Sequence, residues 1–276
     1  SRMRYAISSA SSTRTMYGRS QPVDANGRMW KKIEYIYHFS LGLLLVTIMG
    51  ITALSLRILS FGLLTDFNRK YVVPMFSKLI LDSLGITLEN KVRLKKPDRP
   101  HFYTFNHNSH LDAFILMCLG LTNTRFLMSE KVRHYIPATL AALSIGVLYI
   151  PTKENKERRL NFFIKLAQRI KKEKVSIAGS SEGTGGEFNT INQFNRGVYH
   201  MALVCQMPIV AIYIHTPVES NPSTDFRPIK KGTVRMELID IIETKDWKLE
   251  NLDSHVNEVR NMYVEKFNSY GNANIT

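Results

Sequence analysis

The spacing of apolar residues changes character once along this chain, near residue 86. Before that point they form long helical runs. Phe39 to Leu56, FSLGLLLVTIMGITALSL, is 18 residues without a charge. As a helix it spans about 27 Å, close to the ~30 Å hydrocarbon core of a bilayer. Arg57 interrupts the run and Ile58 to Leu64 resumes it. Between Asn68 and Gly85, the residues Tyr71, Val72, Met75, Phe76, Leu79 and Ile80 recur at helical spacing and predict a second helix. Basic residues flank both ends, with Arg28, Lys31 and Lys32 before and Arg57, Arg69 and Lys70 after. That symmetry leaves the positive-inside rule without a direction. It suits a helical pair embedded in one leaflet better than a single span.

From Ile86 onward, short apolar runs alternate with amphipathic ones. Strands are expected over 86–94, 100–105, 124–128, 146–150, 174–179, 208–215 and 232–243. Helices are expected over 109–121, 130–144 with a restart near Pro137, 153–172, 190–206 and 252–270. This alternation predicts an α/β fold, with a largely parallel central sheet covered by helices and an N-terminal membrane-embedded helical pair. The expected organisation is a disordered basic tail over 1–28, N-terminal membrane-associated helices over 29–85 and an α/β domain over 86–276. Ligands of such sheets bind beyond the carboxyl ends of the strands. His107, Pro151 and Ser181 all fall at such ends.

Charge narrows the partners. The chain carries 37 Lys and Arg against 23 Asp and Glu, a balance of +14. A polyanionic neighbour is implied, either nucleic acid or an anionic membrane surface. No zinc pattern and no aromatic-interleaved basic motif supports nucleic acid, so the membrane is preferred. Lys153 to Lys174 is the densest stretch, with 9 basic and 3 acidic residues. It reads as a solvated helix face that could also attract headgroups or an acidic acyl carrier. Cys118 and Cys205 sit in separate apolar runs, without metal or disulfide spacing.

The chemistry concentrates in Phe105 to Phe114, FNHNSHLDAF. A His at a strand exit and an acid in the first turn of the following helix can face one another. His107 and Asp112 stand in that relation. A carboxylate accepting from one imidazole nitrogen fixes the tautomer, so the other nitrogen can take a proton from a hydroxyl. No serine accompanies the pair, so the attacking hydroxyl would belong to a substrate. Ser109 to Asp112 also resembles a capping box, and Asp in a first turn is favoured by the helix dipole alone. Both readings stand on local grounds. His110, two residues before Asp112, does not face it.

Three more blocks follow in order: GVLYIP at Gly146–Pro151, SEGT at Ser181–Thr184 with QFNRG at Gln193–Gly197, and MPIVAI at Met207–Ile212. Together with NHNSHLD they resemble the glycerolipid acyltransferase family of the 1-acyl-sn-glycerol-3-phosphate acyltransferases (PlsC-like, H-x4-D motif). The resemblance covers roughly Phe102 to Ile214. It implies that His107 is the general base and Asp112 its orienting partner, with no metal and no cofactor. The acyl chain would come from acyl-CoA or acyl-carrier protein as co-substrate, and the acceptor would be a lysophospholipid in the membrane. Glu182, Gly183 and Thr184 would form part of the substrate site, their glycines turning backbone N–H groups toward an anion. Lys153 and Arg196 are further candidates for substrate binding.

The chain departs from the family at two points. Arginines associated with the acceptor's phosphate are replaced by Thr152 after the second block and by Gly185 after the third. A guanidinium that pairs with phosphate through two N–H groups is not replaced by either residue. Lys153, Arg158, Arg159 or Arg196 would then supply the charge, or the acceptor would be a different lysolipid. A lipid-binding protein that kept the fold without turnover is the alternative. The compact length points to a bacterial host, hence the cytoplasmic face of the inner membrane.

Overall fold

The computed structural model describes residues 25–94, 98–107, 109–152, 154–183, 190–221 and 229–273. The first helix, α1 (Ala25–Leu59), is 35 residues long. A single helical turn, α2 (Thr65–Phe67), leads through a π-helical turn at Asn68–Val72 into α3 (Val73–Ser83). Then follow β1 (Ile86–Asn90), β2 (Phe102–Phe105), α4 (Asp112–Met117), β3 (Thr124–Ser129), α5 (Ile136–Ile145) and β4 (Leu148–Ile150). The chain closes with α6 (Lys156–Glu173), β5 (Ser176–Ser180), α7 (Arg196–Cys205), β6 (Ile209–His215), β7 (Gly232–Ile242) and α8 (Leu252–Ala273). Of the tail expected over 1–28, residues 1–24 lie outside the described residues, and α1 begins before its end.

The strands form one seven-stranded sheet in the order β1-β7-β6-β2-β5-β3-β4. β6, β2, β5, β3 and β4 run parallel, whereas β7 is antiparallel to β6 and carries β1 parallel to itself. The expected largely parallel sheet is therefore five co-directional strands with a reversed pair on one flank. Among the described residues no α-helix stands between β6 and β7, and without a helical crossover a strand returns in the opposite sense. The central strands are buried on both faces, which is why FYTF and IVAIYI read as unbroken apolar runs rather than alternating ones.

Helices cover both faces. Side chains from α1, α3, α4 and α5 pack on one side, with Ala53, Leu81 and Ile115 fully buried against Tyr103 and Ile212. α6, α7 and α8 pack on the other, around Ile170, Tyr199 and Tyr263. Several boundaries shift from expectation for a visible reason. Gly146 and Lys174 are left-handed caps that end α5 and α6, so the strands expected to start there begin two residues later. The helix expected from Ser109 starts at Asp112, because Ser109 to Leu111 form a turn whose carbonyl accepts from Asp112 N at 3.2 Å.

The boundary after residue 85 divides the sequence but not the core. The second half of α1 lies hard against α5, where a Cβ on Gly50 would come within 2.8 Å of the Leu140 Cβ. The buried Asn68 Nδ2 donates to Ala53 O at 2.6 Å. Arg69, 5% exposed, donates to Ile145 O from Nε at 2.9 Å and Nη2 at 2.6 Å, and pairs with Asp66. Arg57 donates to Leu143 O. Two guanidiniums thus satisfy carbonyls at the carboxyl end of α5, where the helix dipole is negative. Between α1 and α3 the chain turns through Leu59, Phe61 and Leu63, which are 78%, 96% and 87% exposed.

Candidate active site

The site begins where β2 ends. Asn106 is buried, and its side-chain amide donates to Ile214 O and accepts from Ile214 N, each at 2.8 Å. The side chain thereby adds one more rung to the β2–β6 ladder while the backbone turns away. His107 follows immediately. Its Nδ1 lies 2.9 Å from Asp112 Oδ2, and Asp112 is 1% exposed. A carboxylate oxygen only accepts, so Nδ1 carries the hydrogen and Nε2 is left as the ring's acceptor. The same Oδ2 accepts from Ser109 N at 2.9 Å, and Ser109 Oγ accepts from Leu111 N at 3.1 Å. One Asp112 oxygen thus ties the imidazole to the Ser109 backbone, while the helix itself starts at Asp112 with Leu111 rather than Ser109 at its N-cap. The hydrogen bond to Asp112 holds the His107 imidazole above the usual histidine pKa against the opposing effect of burial, with Glu182 adding to the rise.

Glu182 enters from the next strand. The loop after β5 is tied to β2 by Ser181 N donating to Phe105 O at 2.9 Å, and Tyr199 on α7 donates to Ser181 Oγ at 2.9 Å. Glu182 Oε1 accepts from His107 N at 2.9 Å, and Oε2 accepts from Asn192 N at 2.9 Å and Nδ2 at 2.7 Å. Expected among the substrate-binding residues, Glu182 spends both oxygens on protein donors and braces the histidine's backbone. Gly183 then takes φ +79°, a conformation that strains other residues. A Cβ there would also sit 3.3 Å from Asn195 Nδ2. Asn195 caps α7, its Oδ1 accepting from Gly197 N at 3.2 Å. Asn192 and Asn195 were not singled out from sequence, and QFNRG alone carried no signal that its flank would hold a glutamate.

A cavity of about 230 Å³ opens beside Gly183, between the carboxyl ends of β3, β4 and β5 and the start of α7. Pro151 and Thr152 of the second block and Ser180 and Gly183 of the third line it together, so two motif blocks meet there. Thr152 brings no charge, but Arg159 of α6 lines the same wall, as does Lys131. The other candidate cations are engaged elsewhere or undescribed. Arg196 is exposed and pairs with Asp253 on α8 at 3.1 Å, and Arg158 pairs with Glu130 at 3.1 Å. Lys153 and Thr184, together with Gly185, lie outside the described residues. The fourth block is buried in β6 and contributes packing.

A family model described as Acyltransferase matches residues 85–215. The chain is 26% identical over 163 residues to a 1-acyl-sn-glycerol-3-phosphate acyltransferase of Limnanthes douglasii, covering 59% of this chain and 57% of that one. It is 24% identical over 172 residues to the protein of that name from Cocos nucifera, covering 59% and 52%. The chain thus spans little more than half the length of these curated relatives. Among solved structures, the 1-acyl-sn-glycerophosphate (LPA) acyltransferase PlsC of Thermotoga maritima superposes with a TM-score of 0.67 at 16% identity. The match covers 87% of this chain and 98% of that one. With its motif blocks in order, residues 85–215 matched to the Acyltransferase model and its sheet and helices shared with that fold, the chain has a PlsC-like fold and resembles the glycerolipid acyltransferases.

Proposed function

We propose that this protein is an O-acyltransferase that moves an acyl chain from a thioester onto the hydroxyl of a lysophospholipid such as 1-acylglycerol-3-phosphate. The observation that carries the reading is the 2.9 Å contact between His107 Nδ1 and the buried Asp112, at the carboxyl edge of a parallel sheet. The acceptor's oxygen attacks the thioester carbonyl carbon as its proton passes to His107 Nε2. The tetrahedral intermediate then collapses, the carbon–sulfur bond breaks, and the departing thiolate takes that proton back. Asp112 keeps Nδ1 protonated and stabilises the imidazolium in between. No covalent acyl-enzyme is needed, because the nucleophile is the substrate's own hydroxyl. The donor is acyl-CoA or acyl-carrier protein, and the relatives' printed names favour a lysophosphatidate acceptor. General-base assistance is worth about 10²–10⁴-fold. Purified protein given lysophosphatidate and labelled acyl-CoA should form phosphatidate, and His107→Ala should lose transfer by that order. A His107→Ala protein as fast as the parent would remove the base from the mechanism.

The same reading places the protein on a membrane through its N-terminal helices. Within Met29–Leu59 of α1, the most apolar 18-residue window has a mean hydropathy of 2.1, and only 17% of it is buried. Its second half is docked on α5, so a bare crossing through that half would drag the α/β domain into the bilayer. The 11-residue α3 is about 17 Å long, too short to return across a ~30 Å core. Insertion into one leaflet, led by the apolar turn at Leu59–Leu63 and the exposed face of α1, fits both facts.

A further inference from the structure

Much of the charge on the outer face of α6 is left unused by the fold. Glu154 and Glu157 stand at its amino end, and Arg158 there pairs with Glu130. From Lys165 to Lys174 five cations face one acid, Glu173, which Arg169 and Arg125 already pair. Lys165, Lys171 and Lys172 are exposed and form no ion pair among the described residues. Two apolar side chains stand out of the same surface, Leu160 at 61% and Ile164 at 49% exposed, one turn apart. Helical spacing sets Leu160, Ile164 and Lys171 in one row and Asn161, Lys165 and Lys172 in the next. An apolar centre with a charged rim is the make-up of a protein-contact surface rather than of a face turned only to water. Position selects the partner. α1, with its exposed apolar face, packs on one side of the sheet and α6 on the other. The charge therefore looks away from the leaflet that α1 would enter, and its counterpart is a soluble polyanion. A route to the site starts from the same helix. An open groove of about 540 Å³ lies between α6 and β4, lined by Tyr149, Pro151, Glu157, Arg158, Phe162 and Lys165. β4 ends the sheet, so no strand pairs with its outer edge. Pro151 lines both this groove and the cavity beside Gly183.

We infer that the outer face of α6 docks an acidic acyl-carrier protein, and that the groove beside β4 guides the carrier's pantetheine arm toward His107. The inference rests on the acyltransferase reading and names the carrier protein, rather than coenzyme A, as the donor this surface recognises. Lys165, Lys171 and Lys172 meet the carrier's carboxylates, and Leu160 and Ile164 meet its apolar side chains. The arm is a chain of amides, which suits a groove bordered by the free edge of a strand.

The test gives the full chain in detergent lysophosphatidate and either palmitoyl-carrier protein or palmitoyl-CoA. Lys165→Glu with Lys172→Glu should raise the KM for the carrier donor about 10-fold and leave the KM for palmitoyl-CoA unchanged. Added salt should raise the parent's KM for the carrier donor and narrow that gap. Leu160→Ser with Ile164→Ser should weaken the carrier donor alone in the same way. Lys245→Glu with Lys248→Glu makes the same change in net charge on the segment after β7, whose last residue pairs with the first of β6 at the opposite edge of the sheet. That protein should match the parent. Calorimetry adds a readout without turnover: unacylated carrier bearing its arm should bind the parent and lose that binding to the Lys165→Glu, Lys172→Glu protein. A folded double variant with the parent's KM for the carrier donor overturns the inference and leaves the acyltransferase reading intact. So does an equal rise for both donors, since the surface would then serve the arm or nucleotide of coenzyme A. Weaker co-sedimentation of the double variant with anionic vesicles overturns it as well, because α6 would then face the membrane. A parent that acylates no lysolipid from either donor defeats the acyltransferase reading instead, and carrier binding then still decides whether the docking surface exists.

Discussion

Replacing Glu182 by Gln removes one charge and almost no volume, so it isolates what the carboxylate does. Three donors converge on its two oxygens: His107 N at 2.9 Å, Asn192 N at 2.9 Å and Asn192 Nδ2 at 2.7 Å. A glutamine has one accepting oxygen and one donating NH2. With the oxygen toward Asn192, the NH2 meets the His107 N–H donor to donor; the other orientation sets it against both Asn192 donors. The cheaper choice sacrifices the His107 bond and leaves that N–H without a partner. A hydrogen bond to an ionised acceptor is worth about 1.5–3 kcal/mol, and Glu182 is 9% exposed, so water does little to repair the loss. At about 2–4 °C per kcal/mol, the melting temperature should fall by roughly 3–12 °C. The bond that breaks belongs to the backbone of His107, the proposed base. A displacement of about 1 Å there costs on the order of 10²-fold, so turnover should drop about 10- to 100-fold with a smaller change in KM. Glu182 also raises the His107 pKa, so the midpoint of the pH profile should move down. Acyl transfer across pH and thermal melting of the same preparation measure all three effects. Parental turnover together with an unmoved pH midpoint would show that Glu182 does not position the base.

Two further predictions follow from the geometry. His107 must be neutral to accept a proton, and Asp112 raises its pKa above the ordinary ~6.5. Transfer should therefore rise with pH through a midpoint above that value, and Asp112→Asn should lower both the midpoint and the rate. Stability runs the other way: the raised folded pKa stabilises the protein fully below pH ~6.5, and this contribution is lost as pH climbs through the folded value, as melts across that range should show. At the turn between α1 and α3, Phe61→Ser with Leu63→Ser removes two side chains that are 96% and 87% exposed in the protein alone. Each is worth about 1.5–3 kcal/mol when buried in lipid, so co-sedimentation with anionic vesicles should weaken by on the order of 10²-fold or more with the melting temperature unchanged. Equal sedimentation of parent and variant would remove the turn from the membrane contact.

Much of this architecture was readable from local pattern, because most of it is locally determined. The apolar runs of β2, β5 and β6 announce strands buried on both faces, and the His107–Asp112 contact spans five positions that a strand exit and one helical turn bring together. Reading failed where a single residue's backbone conformation mattered. Gly146 and Lys174 were assigned to the starts of strands, whereas they end helices in left-handed caps. The reversal of β7 and β1 carried no signal in apolar spacing, which is the same for strands of either direction.

What the chain order conceals most is which distant groups share a charge. Thr152 and Gly185 looked like losses when each motif position was taken alone. In the fold, the wall that Thr152 forms is also reached by Arg159, seven positions onward and one helix along, because the loop after β4 folds α6 back over the strand ends. In the same way Arg69 reads as a flanking cation of a membrane helix, yet it is buried against the last carbonyls of α5 and joins the N-terminal helices to the sheet. Both guanidiniums act across contacts that no sequence spacing encodes.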